Sequence, residues 1–447
     1  VNSANENSGR KTFGEIDEAV LKPMLRPSVG FGVFLAVTML CLGIGGICYF
    51  HQVRVSIGVA GINNPVHWGV YITNFVFWVG IAHSGTLISA ILFLFHARWR
   101  TSVNRIAEAM TLFAINTAGL FPLIHLGRVW LVYYMLPYPN SRQLWVNFRS
   151  PLIWDVFAIT TYMLVSAMFF YVGLIPDLAT VRDRSTGLAR RIYAPLALGW
   201  RGTHTQWRHH RTAYMLLAGL ATPLVISVHS VVSWDFAVSL IPGWHSTIFA
   251  PYFVAGAIFS GCAMIIVILL PMRRFFGLQD FVTPRHFAML CKMLIFMSLI
   301  VTYSYFAEFF MAWYAGDEFE QSSFYNRAFG VYAPLFWVMV TFNSILPLTL
   351  LSSRLRSNLA YGYGVAVCVL IGMWLERFVI IASSLSHDFD PYSWGSYFPT
   401  IIELGITVGS FGMFFFSFAL FAKLLPVVAI SEIKESIHSS ARGHENE

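Results

Sequence analysis

The stretch Phe121-Pro-Leu-Ile-His125-Leu-Gly-Arg128-Val-Trp130 puts a histidine and an arginine inside a run that otherwise reads as helix buried in lipid. Asp155 follows one loop later, near the start of the next apolar run. A charged side chain near the bilayer centre costs about 2.5–3.5 kcal/mol even on lenient insertion scales, so it is rarely there without a partner or a task. Composition supports the reading of these runs as membrane spans. The chain has 447 residues, is 57% hydrophobic and only 11% charged, and its mean hydropathy is +0.63. A soluble domain carries roughly 25% charged residues, so the class that fits is an all-α polytopic membrane protein.

Ten apolar segments are long enough to cross a hydrocarbon core of about 30 Å. They are expected near 29–52, 67–95, 105–136, 151–175, 209–233, 247–271, 285–314, 331–352, 359–384 and 398–424, with Pro122, Pro223 and Pro347 as candidate kinks. An even number puts both termini on one side. With that side cytoplasmic, 23 of the 29 Lys and Arg fall on it or at its edge, Arg105 among them, which is the asymmetry the positive-inside rule demands. The net charge of +7 has the same explanation, since no basic cluster interleaved with aromatics points to nucleic acid. The five cysteines (Cys41, Cys48, Cys262, Cys291, Cys368) lie in apolar spans without a CxxC or Cys/His cluster, so neither a protein-ligated iron–sulfur cluster nor zinc is expected. The first residues, to about Pro27, lack an apolar signal-peptide core.

A parallel repeat runs through the spans. Gly80-Ile-Ala-His83-Ser84-Gly85 aligns with Gly256-Ala-Ile-Phe259-Ser260-Gly261, and the His125–Tyr134 segment with Tyr305–Tyr314. Pro151-Leu-Ile-Trp154-Asp155 aligns with Pro334-Leu-Phe-Trp337-Val338, and Trp234-Asp235-Phe236 with His387-Asp388-Phe389. Matched segments run in the same direction, as in repeats related by an axis along the membrane normal. The expected organisation is a cytoplasmic segment (1–28), a peripheral span (29–52), one four-helix bundle (67–233), a second (247–384), a further peripheral span (398–424) and a cytoplasmic tail (425–447). The Ser-Gly pairs should let backbones approach closely.

The halves differ where chemistry would occur: His83, His125 and Asp155 face Phe259, Tyr305 and Val338 in the alignment. His125, Arg128, Asp155, His229 and Asp235 fall in the outer half of the first bundle, a place to take protons from a membrane-dissolved donor. Histidine titrates near working pH, and a buried carboxylate beside it would relay the proton. His125 and Arg128, three apart on one helix, are expected to share a face, and Arg128 would hold Asp155 or a substrate oxygen. The same arginine and aspartate would equally make a structural ion pair. His83 reads either as a satisfied core histidine or as part of a proton path. Glu308, Glu376 and Arg377 form a second set, a proton route or structural pairs, with Glu403 in the last span. Glu376 and Arg377, adjacent in sequence, should point apart and need separate partners. Arg377 is also within reach of the first pocket. Two rivals share these features: a secondary transporter, and a membrane b-type cytochrome. The second is disfavoured because His83 should lie deeper than His125 and His229.

Longer strings carry a family resemblance: His125-Leu-Gly-Arg128, Leu136-Pro-Tyr-Pro-Asn140, Phe148-Arg-Ser-Pro-Leu-Ile-Trp-Asp155-Val-Phe-Ala, Leu174-Ile-Pro-Asp-Leu-Ala-Thr180, Ala194-Pro-Leu-Ala-Leu-Gly-Trp-Arg-Gly202, Ser227-Val-His-Ser-Val-Val-Ser-Trp-Asp-Phe-Ala237 and Ile241-Pro-Gly-Trp-His245. From about Gly14 to Pro426 the chain resembles the polysulfide-reductase-type, NrfD-like membrane subunits, and among them the quinol-oxidising subunit of alternative complex III. The resemblance implies a multi-pass subunit of a bacterial inner membrane that oxidises a quinol, menaquinol above all, at the outer face of its first bundle. It implies electron transfer to an iron–sulfur subunit, then to multihaem and monohaem cytochromes c. It also implies a homologous second membrane subunit, bound lipids, and no haem or cluster in this chain. Family quinol-site positions carry over onto His125, Asp155 and Asp235, with Arg377 a further candidate.

Overall fold

The computed structural model describes residues 29–95, 103–136 and 148–434, together with Gly14, Val20 and Leu21. The rest of the 1–28 segment, the tail beyond 434, the Pro137–Asn140 part of the loop motif, and Arg98, Arg100 and Arg142 lie outside the described residues. Among the described residues, ten helices are long and apolar enough to cross a membrane. Numbered as spans 1 to 10, they are Val29–Val55, Val70–Leu94, Asn104–His125, Pro151–Arg184, His204–Ala237, Phe249–Phe275, Pro284–Ala315, Ala333–Leu351, Leu359–Leu385 and Ile401–Leu424. Among the described residues there is no strand, as expected where every backbone polar group must be satisfied within its own segment.

Span 2 is the hub. Its side chains from Val70 to Ala90 are almost all buried, and it packs against spans 3, 5, 6 and 9. Spans 3 and 4 and spans 4 and 5 are neighbours; span 6 meets 5, 7 and 9, span 8 meets 9, and span 1 lies along span 10. The Ser-Gly pairs act as expected. A Cβ on Gly261 would overlap the Ser84 hydroxyl oxygen, so spans 2 and 6 cross where only hydrogen fits. Span 1 approaches span 10 in the same way at Gly45, where a Cβ would overlap Gly409 Cα. Lipid does not drive apolar helices together, so such close backbone contact is what holds them.

Two spans depart from the expected form. Span 8 is α-helical only to Val340, then passes through a π turn (Thr341–Ile345) into a 3-10 segment (Leu346–Leu351). Pro347 has no N–H for the regular ladder, and the irregular turn carries the buried Asn343 and Ser344. Span 3 stops at His125 instead of continuing to 136. Gly127 takes φ +69°, and the chain turns into a separate 3-10 segment, Val129–Met135. Pro122 in the last turn and the left-handed glycine together end the helix, which corrects the shared face expected for His125 and Arg128.

Candidate functional site

Consecutive packed spans alternate in direction, so His125 at the end of span 3, Asp155 at the start of span 4 and Asp235 at the end of span 5 fall at the same end of these helices, and Asp155 and Asp235 approach each other there. Pro151 opens span 4, where its missing N–H costs nothing, and sets Asp155 one turn in. Asp235 lies in the last turn of span 5, where the helix dipole disfavours a carboxylate. Its position is therefore maintained against a local electrostatic cost. The two carboxyls lie within hydrogen-bonding reach of each other, an approach that a shared proton would stabilise. Oδ1 of Asp155 and Oδ1 of Asp235 are buried without a partner among the described residues, and so is Nδ1 of His125. His125 is held by its neighbour: the Ile124 carbonyl accepts from Gln52 Nε2 at 2.9 Å, and Tyr71 donates to Gln52. His67 stands close to His125, a residue that sequence reasoning missed because it lies in a loop outside every repeat.

Arg128 does not join this group. It is exposed and forms no ion pair with Asp155 among the described residues, so the expected pairing is corrected. His229 also turns elsewhere. Its Nδ1 lies 3.0 Å from Nδ1 of His83, both rings are fully buried, and each Nε2 is without a hydrogen-bond partner among the described residues. His83 therefore sits level with His229, not deeper. Their Nδ1 atoms are in direct contact across spans 2 and 5. The His83 ring also packs on Tyr162, 4.4 Å between centroids. Tyr162 donates to the Ala82 carbonyl at 2.7 Å and lies 3.1 Å from Thr86 Oγ1.

Glu376 and Arg377 were expected to need separate partners; instead they pair with each other at 3.0 Å. Tyr305 donates to Glu376, Asn343 to the Tyr305 hydroxyl at 2.8 Å, and Arg377 stacks over Phe253 at 4.2 Å. Long side chains bend back along their helix, which adjacency in sequence did not take into account. Glu308 faces Arg327 at 3.6 Å. Arg377 is close enough to His229 to interact electrostatically, so it stands between the His83–His229 pair and the glutamates. Glu403, by contrast, is a helix cap. It accepts from Gly61 N at 2.8 Å, Tyr397 Oη at 2.6 Å and Thr400 N at 2.9 Å.

A cluster that sequence reasoning missed occupies the opposite end of spans 2–5. Arg105, counted as a loop-side cation, is only 3% exposed. It reaches Asp177 at 2.7 Å, the Gly173 carbonyl at 2.8 Å and Glu108 at 3.3 Å. Glu108 also accepts from Tyr214 at 2.5 Å and Ser89 at 2.9 Å. The available signal was the spacing of Arg105 and Glu108, one turn apart on one helix face. Among the described residues, no group of three or more His, Cys, Asp and Glu is placed to hold a metal ion.

A family model described as Polysulphide reductase, NrfD matches residues 58–387. The chain is 26% identical over 420 residues to a putative dimethyl sulfoxide reductase membrane subunit of Halobacterium salinarum, covering 88% of this chain and 91% of that protein. It is 22% identical to a selenate reductase subunit of Mesobacillus selenatarsenatis, covering 86% and 91%. It is also 22% identical to an Hdr-like menaquinol oxidoreductase integral membrane subunit of Archaeoglobus fulgidus, covering 87% and 92%.

Proposed function

This chain belongs to the NrfD polysulphide reductase family, and we propose that it is the quinol-oxidising membrane subunit of an electron-transfer complex. The observation that carries the reading is the buried Asp155–Asp235 carboxyl pair, each with an oxygen that has no partner among the described residues, at the same helix ends as His125, whose Nδ1 is likewise without one. Oxidising a quinol releases two electrons and two protons. The carboxyl pair, holding one proton, has room for one more, and His125 Nδ1 is a second acceptor for the other hydroxyl. The electrons pass to an iron–sulfur partner subunit. The Archaeoglobus relative, named as a menaquinol oxidoreductase, supports menaquinol as donor.

The finer parts of the proposal are these. The site lies at the outer, periplasmic face of a bacterial inner membrane, both termini are cytoplasmic, and spans 2–5 and 6–9 form two bundles related by the repeat. The complex is of the alternative complex III type, with cytochrome c subunits and a homologous second membrane subunit. His83, Glu308, Glu376 and Arg377 move or hold protons coupled to turnover, with His229 in contact with His83 on that route. The relatives named as dimethyl sulfoxide and selenate reductase subunits favour a second reading of the acceptor, a terminal reductase beyond the iron–sulfur partner.

The test is Asp155→Asn in the assembled complex. Amide for carboxyl keeps the size and removes the proton acceptor, so quinol-to-acceptor turnover should fall by about 10²-fold or more with subunit assembly unchanged. Turnover near wild type would refute the assignment.

A further inference from the structure

A cleft of about 360 Å³ lies between spans 4 and 5 on the lipid-facing side. Phe157, Ala158 and Thr161 form one wall, and Leu224, Ser227 and Val228 the other. Phe157 and Thr161 are open to the surroundings, while Val228 is buried at the floor. No charged side chain lines the cleft, and the Ser227 hydroxyl is spent on the Leu224 carbonyl of its own helix at 2.9 Å. At the outer end the Trp154 and Trp234 rings meet edge to face, 6.1 Å between centroids.

The tryptophans at the outer end, Trp154 and Trp234, are the residues next to Asp155 and Asp235 in sequence. Asp155 is three residues before Ala158, and Asp235 is seven after Val228 and four after Val231, which also lines the cleft. At helical spacing Asp235 continues the stripe of Leu224, Val228 and Val231, whereas Asp155 lies on the inner side of the span 4 wall, one turn from Ala158. The surface joins a proton-accepting end to a narrow uncharged trough open to the bilayer. We infer that the trough between spans 4 and 5 holds the polyisoprenoid tail of the quinol and delivers its head to Asp155 and Asp235. This rests on the assignment of the aspartates to the quinol head.

Charge selects this occupant over a phospholipid, because two carboxyls at the head end repel a phosphate and accept from a hydroxyl. A tail leaving lipid for the trough gains no hydrophobic stabilisation, since the bilayer is equally apolar. The benefit is orientation: a tail lying along the trough aims the hydroxyl at the carboxyl pair and restricts its other poses.

The test uses the whole complex and two donors with the same head, menaquinol with its natural tail and tail-less menadiol. The readout is the ratio of their kcat/KM values. Ala158→Phe narrows the trough from span 4 and Ser227→Leu from span 5, and each should lower the ratio of tailed to tail-less donor by about tenfold. An unchanged ratio in both overturns the proposal, whether both donors slow equally or neither does. The wild-type complex gives an independent measurement through a quinone with a photoreactive group on its tail. Labelling of peptides spanning 154–161 and 224–231, displaced by menaquinone and not by phospholipid, supports the proposal; labelling elsewhere, or displacement by phospholipid, overturns it. Failure of the head assignment is read separately, as Asp155→Asn retaining turnover of both donors.

Discussion

Replacing Arg105 by leucine isolates the energetics of the cluster at the end of spans 2–5 opposite His125 and Asp155. The guanidinium is 3% exposed and makes three contacts, to Asp177 at 2.7 Å, to the Gly173 carbonyl at 2.8 Å and to Glu108 at 3.3 Å. Two magnitudes compete. Interhelical hydrogen bonds within membranes are worth only about 0.6 kcal/mol on average, because the unfolded chain in lipid also finds partners. Removing one member of a buried ion pair costs about 3–5 kcal/mol, because the remaining charge is left without compensation. Here Asp177 and Glu108 contact the cation and Glu432 acts on it from further off, and Asp177 loses its strongest partner, keeping the Ser431 N–H at 3.2 Å. The larger figure should therefore apply, near 3–5 kcal/mol. The double variant Arg105→Leu/Asp177→Leu removes both partners and should recover most of that loss, since Glu108 retains Tyr214 and Ser89. Thermal unfolding of single and double variants in detergent, followed by tryptophan fluorescence, gives the comparison. A single variant as stable as wild type, or a double variant no better than the single, would refute the ion-pair account.

Three other outcomes are expected. Gly261→Val places its Cβ and methyl groups in space that Ser84 Oγ already fills, so spans 2 and 6 cannot close; membrane accumulation of the protein should collapse, and normal levels would sink the close-crossing argument. Glu308→Gln keeps the contact with Arg327 but removes a titrating group; if Glu308 moves protons, protons translocated per electron in liposomes should fall, and an unchanged ratio would remove it from the path. Burial holds His387 below the usual histidine range, where it stacks on Trp394 and bonds Ser322 at 2.7 Å. A depressed folded pKa favours the neutral ring, so its contribution is present above about pH 6.5 and lost as pH falls. Hydrogen exchange in the 386–396 loop, corrected for its intrinsic pH dependence, should therefore show less protection at pH 5 than at pH 7.

The sequence by itself determined the ten spans, since length and apolarity are the bilayer's own requirements, and among the described residues nine of ten helices end within a few residues of expectation or extend beyond it. It also supplied His125, Asp155 and Asp235, because an ionisable residue in an apolar run is visible without coordinates. Which of those groups meet was decided only by tertiary structure. Gly127 turned Arg128 away from His125, span crossings set His83 against His229, and Arg105 left the count of loop cations for a buried cluster. The reason is physical: insertion into lipid is a property of each segment taken alone, whereas a contact between two side chains depends on the rotation and crossing of two helices. Those are set by small-residue packing spread along both.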